Sequence, residues 1–255
     1  MFQELYIRNP LLFGFGLLSL LSAIICIGLV VFSSENQVLG INAWIKPAKF
    51  YFSTTIFVWS MAWYMHYLPS LYSNTVIAFN WVVILTLSFE LIYITYSASK
   101  GELSHFNVSS PFKSAMFSLM GIAISLMTLF TAYIGVLFFK EPLPVLDPAY
   151  VWAIRLGILL FVVFAFQGAM MGSQLAHTVG APDGGPGLRF LNWSVEHGDL
   201  RIAHFVGMHA LQVLPLAAYF ILKDVGMIWA FSAAYGLLAL FVLMVALRGL
   251  PLLKL

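Results

Sequence analysis

The sequence predicts an all-α polytopic membrane protein, with seven transmembrane helices in one bundle over residues 1–255. Three observations carry this. Of the 255 residues, 62% are hydrophobic and 9% charged, where soluble domains carry about a quarter charged residues. The apolar residues fall in continuous runs of about 20, the length that crosses the hydrocarbon core as a helix. The runs do not alternate with period two, which excludes a transmembrane β-barrel. The apolar content also excludes a disordered chain, and the single Cys26 excludes a disulfide scaffold. A net charge of +2 gives no reason to expect a nucleic-acid partner.

The first run, 11–33, reads as a retained helix and not a signal peptide. Glu4 and Arg8 leave no positive n-region, the run exceeds an h-region, and Ser33-Ser34-Glu35 is a poor cleavage site. The second, 49–68, is entered through Pro47, which suits a first helical turn, and left at Pro69. Trp59, Trp63, Tyr64 and Tyr67 crowd its far end and read as an interfacial aromatic belt. The third run, 75–97, carries Glu90. The fourth, 114–139, shows a stripe of Ser114, Ser118, Gly121, Ser125 and Thr128, which predicts close helix packing. Pro142, Pro144 and Pro148 separate it from the fifth, 149–175. The sixth, 200–222, begins after Asp199, a good N-cap. The turn Lys223-Asp224 leads directly into the seventh, 225–247, which makes the last two helices antiparallel neighbours. No internal repeat is visible in the sequence.

Seven spans put the termini on opposite sides. Arg8, Lys140, Arg155 and Lys223 fall on the N-terminal side, and the other eight of the 12 cations on the C-terminal side. The positive-inside rule then predicts the N-terminus outside and the C-terminus inside.

On that topology five of the six histidines, His105, His177, His197, His204 and His209, gather at the inner face. Glu90 is the one acidic residue within a span, about 10 Å from its inner end at 1.5 Å per residue. Thr86, Tyr93 and Ser97 share its face. A carboxylate in lipid costs several kcal/mol unless partnered or protonated, so Glu90 reads as a site residue. Arg201, His204, His209 and Gln212 share one arc of the sixth helix. Gln167 and Gln174 share a face of the fifth, with His177 beyond. His105 follows the third helix closely enough to fold back toward Glu90. Lys46 and Lys49 lie on one face at the start of the second helix. The longest loop contains Val179-Gly-Ala-Pro-Asp-Gly-Gly-Pro-Gly187, a tight turn or a nest of amides around Asp183.

Glu90, His105 and His209 are thus candidate catalytic groups. Lys46, Lys49, Gln167, Gln174, Asp183, Arg201 and Gln212 are candidate substrate or anion contacts. His177, His197, His204, His209 and Glu90 form a candidate metal set, with chemistry that suits zinc or iron. The spacing matches no metal motif. HExxH, a GxSxG triad and a retinal-type lysine in the last helix are all absent.

Three stretches, Glu90–Asn107, His177–Gly187 and His197–Pro215, resemble a family of uncharacterised bacterial multi-pass membrane proteins. The resemblance implies the bacterial inner membrane and no particular activity. Four functions stay open: an enzyme, metal-dependent or not, acting on a lipidic or small amphiphilic substrate; a proton-coupled transporter or channel; a sensor or assembly partner docking a protein at loop 178–198; and a b-type haem or quinone protein. Membrane lipids are partners in every case.

Overall fold

The computed structural model describes residues 2–33 and 36–254. Ser34 and Glu35, read above as part of a poor cleavage site, lie outside the described residues. The elements run α1 (Phe2–Arg8), α2 (Pro10–Phe32), β1 (Gln37–Val38), β2 (Ile41–Asn42), α3 (Ile45–Met65), α4 (Ser73–Ser99) and α5 (Pro111–Lys140). They continue with α6 (Pro148–Gln174), β3 (Thr178–Val179), β4 (Gly198–Asp199), α7 (Leu200–Met208), α8 (Ala210–Phe220) and α9 (Val225–Leu247). Six helical stretches are long and apolar enough to cross a membrane: Pro10–Phe32, Ser70–Ser99, Pro111–Lys140, Pro148–Gln174, Leu200–Phe220 and Val225–Leu247. The remaining expected span falls in α3. That helix is long enough, but Lys46, Lys49 and its hydroxyl residues lower its hydropathy, and it is not among the six.

Backbone contacts divide the chain into two compact units, Met1–Met127 and Thr128–Leu255, with the boundary inside α5. The first unit starts with a short helix that the sequence reading missed. Asn9 ends α1 and N-caps α2, its side chain accepting from the Leu12 amide at 3.1 Å, with Pro10 in the first turn. The same side chain exchanges two amide hydrogen bonds, 3.0 and 3.1 Å, with Asn80 of α4. α2 packs most extensively on α3. Gly16 makes this possible, because a Cβ there would overlap the Trp59 indole, whose Nε1 donates to the Phe13 carbonyl at 3.3 Å. The guanidinium of Arg8 lies 3.9 Å from the Trp63 ring centroid and 4.9 Å from that of Tyr67. The expected aromatic belt is therefore largely consumed in packing on α1 and α2. The small-residue stripe of α5 also departs from expectation: Ser118 and Gly121 are exposed, and nothing lies within 4 Å of a Cβ built on Gly121.

Part of the element order of the first unit recurs in the second. A capped helix with proline in its first turn is followed by a loop with a two-stranded ribbon, a second helical stretch, a connection and a third helix. Asp147 caps α6, accepting from Ala149 N at 2.8 Å, with Pro148 next. Asp199 caps α7 and Asp224 caps α9. The correspondence is one of topology, with no matching sequence pattern.

The sixth expected helix runs as one span, Leu200–Phe220, with a one-residue irregularity inside it. α7 ends at Met208 and α8 begins at Ala210, with His209 between them. Pro215, inside α8, has no N–H to offer the Leu211 carbonyl four residues earlier. The ladder tightens there, with the Gln212 amide bonding back three residues to the His209 carbonyl at 3.0 Å. Gly207 lets α7 press against α6, since a Cβ there would overlap the Phe164 ring.

Candidate functional site

In the first unit, α3, α4 and the loop after α4 bring three predicted residues together. Glu90 is 5% exposed, and Thr86, Tyr93 and Ser97 on its face are buried with it. The periodicity of α4 therefore turns its polar face inward. His105 folds back so that Nε2 lies 4.0 Å from Glu90 Oε2. Its Nδ1 lies 3.2 Å from Lys46 Nζ and 3.1 Å from Ser104 Oγ. An ammonium only donates, so the approach of Lys46 requires a lone pair on Nδ1. The ring proton then sits on Nε2, the nitrogen turned toward Glu90. Lys46 is also within Coulombic reach of Glu90. Carboxyl, imidazole and ammonium form a line along which a shift of about an ångström completes a hydrogen bond.

Several features hold His105 in place. Its ring centroid is 5.7 Å from that of Phe50 and 6.3 Å from that of Phe117. Phe106 adopts φ +60°, a costly conformation for a bulky side chain, and its ring packs edge-on against Phe117 at 5.4 Å. The hydroxyls of Tyr51 and Thr95, 3.2 Å apart, tie α3 to α4 nearby. Lys113 pairs with Glu102 at 2.8 Å across the same loop. Lys49 follows Lys46 by one turn of α3 and has electrostatic or hydrogen-bond partners of its own. Sequence reasoning missed Ser104, which is adjacent to His105, and Trp44, whose buried Nε1 has no hydrogen-bond partner among the described residues.

The second unit contains the other candidates, and most are paired locally. Asp183 does not line an open nest; it is itself the anion held there. Its carboxylate accepts from the His177 and Thr178 amides at 3.0 and 2.9 Å and from His177 Nδ1 at 2.7 Å. Burial opposes ionisation of this carboxyl. The His177 hydrogen bond and charge, with the backbone amides, outweigh burial and hold it well below the usual carboxylate range. Arg201 is taken by buried Asp199, with Nε at 2.9 Å and Nη2 at 2.6 Å, and Nη2 also donates to the Asn192 carbonyl. His204 Nδ1 lies 2.7 Å from the Phe164 carbonyl, which only accepts, so that nitrogen carries the proton. His209 Nδ1 is 3.2 Å from Gln212 Oε1, and Gln174 donates to the Ala176 carbonyl at 3.0 Å. The His197 amide donates to Ser194 Oγ at 3.0 Å.

These pairings turn the polar arc of the sixth span to separate tasks. Among the described residues no three His, Cys, Asp or Glu side chains gather as a metal group. Of the expected set, His177, His197, His204 and His209 lie in the second unit and Glu90 in the first. Gln167 is buried without such a local pairing. It is 8% exposed, and neither Oε1 nor Nε2 has a hydrogen-bond partner among the described residues.

No family model, curated protein or solved structure matches the chain. The comparisons thus assign neither a family nor a bacterial origin, and the protein stands as a helical chain with multi-pass membrane character.

Proposed function

We propose that the protein is a proton-coupled transporter or channel of the bacterial inner membrane, with seven spans, the N-terminus outside and the C-terminus inside, that loads and unloads protons at Glu90. One observation carries the reading: a carboxyl group buried within a span faces His105, whose other nitrogen rests on Lys46. An intramembrane carboxylate needs a proton or a countercharge, and this arrangement offers both through groups that exchange protons. The part of the element order that the two units share supports it, because transporters are often built from repeated helical modules. A second reading uses Glu90 and His105 as general acid and base on an amphiphilic substrate, and the Phe50, Phe106 and Phe117 rings around the site favour it.

The test is proton flux into proteoliposomes of the full chain, driven by a valinomycin-set potassium gradient and read by an enclosed pH dye. It is run with and without an external mixture of amino acids and sugars. Flux above that of protein-free vesicles, lost in Glu90→Gln and reduced in His105→Phe, is the expected result. Equal flux in wild type and Glu90→Gln overturns the reading.

A further inference from the structure

We propose that Arg155 is the centre of a site for a phosphate group, at the end of the second unit where α5 finishes and α6 begins. An open groove of about 290 Å³ lies there, lined by Pro142, Leu143, Pro144, Leu146, Trp152 and Arg155 among others. That is the size of the smaller ligand clefts. Arg155 is seven residues into α6, about 10 Å along a span-length helix. Its Nε donates to the Phe138 carbonyl at 2.7 Å and Nη2 to the Glu141 carbonyl at 3.4 Å. The guanidinium lies 5.0 Å from the Trp152 centroid and 5.6 Å from that of Phe139. These contacts place the group and contribute partial negative charge from the last turn of α5.

They do not neutralise it. Among the described residues the ion pairs belong to other cations, and no carboxylate is within ion-pair distance of Arg155. A full positive charge inside a span calls for a counterion. Nη1, the remaining nitrogen of the fork, carries no hydrogen bond to the described residues. Arginine's planar fork suits phosphate oxygens. The three prolines of the wall, Pro142, Pro144 and Pro148, have no amide hydrogen and stiffen it. Trp152 and Trp229, with ring centroids 4.9 Å apart, mark the kind of aromatic cluster found at headgroup depth. A phosphodiester headgroup and a free phosphate share the chemistry, and the experiment separates them.

The delipidated full-length protein is titrated with phosphatidylglycerol, phosphatidylcholine and inorganic phosphate, and bound species are counted by native mass spectrometry. Arg155→Gln removes the charge. Pro144→Trp, at an exposed loop position, fills the groove while leaving Arg155 and its carbonyl bonds intact. The proposal expects phosphate-containing species to bind the wild type and to bind both variants about tenfold more weakly, as loss of a charge-assisted contact implies. Binding of phosphatidylglycerol alone identifies a lipid site, and matching behaviour of inorganic phosphate identifies a soluble anion. Unchanged binding in both variants, or binding of neither phosphate source to the wild type, overturns the proposal.

Discussion

Replacing Asp183 with Asn isolates the energetic role of the long loop. The carboxylate accepts three N–H groups at 2.7–3.0 Å. Hydrogen bonds to a charged acceptor contribute about 1.5–3 kcal/mol each, against about 0.5–1.5 for neutral pairs. Asparagine keeps one oxygen for the two amides but sets an NH₂ group against His177 Nδ1. The summed loss is about 4 kcal/mol. If the loop opens as a unit, that loss speeds amide exchange at His177 and Thr178 by about a thousandfold. Hydrogen exchange of the detergent-solubilised protein, resolved to this segment, reads it directly. The wild-type pH profile follows from the same carboxyl. Its folded pKa lies below the unfolded value of about 3.9, so its stabilisation is complete above about pH 4 and is lost as pH falls through the folded value. Exchange that changes by less than about threefold in Asp183→Asn, or protection that falls between neutral pH and about pH 5, would refute the assignment.

Two further outcomes concern packing. Gln167→Leu removes two buried amide atoms that have no partner among the described residues, each costing about 1–3 kcal/mol. The thermal midpoint should rise, and a fall would show that a bound molecule satisfies the amide. Gly207→Ala drives a methyl group into the Phe164 ring, so the midpoint should fall by an amount corresponding to about 1–3 kcal/mol. An unchanged midpoint would mean that α6 and α7 separate freely.

The sequence made the helical membrane class legible because apolar run length and low charge are read directly from composition. The inward face of α4 was equally legible, since Thr86, Glu90, Tyr93 and Ser97 follow one helical period. His105 could be expected near Glu90 because the loop between them is short. What escaped were choices among competing partners. Asp183 looked like part of an anion nest, yet its own carboxylate fills the nest. Arg201, His204, His209 and Gln212 share an arc, but Asp199 takes Arg201, the Phe164 carbonyl takes His204, and His209 and Gln212 meet each other. Trp63 and Tyr67 looked lipid-facing because their partner, Arg8, lies 55 residues from Trp63 in sequence.

The most direct test of the central claim is infrared difference spectroscopy of the protein in lipid, with labelled glutamate and Glu90→Gln as the control. Proton exchange at Glu90 predicts a carboxyl C=O band that responds to pH, is absent in Glu90→Gln, and shifts in frequency in Lys46→Met. A spectrum in which no glutamate band responds to pH, or in which the responding band survives Glu90→Gln, would contradict it.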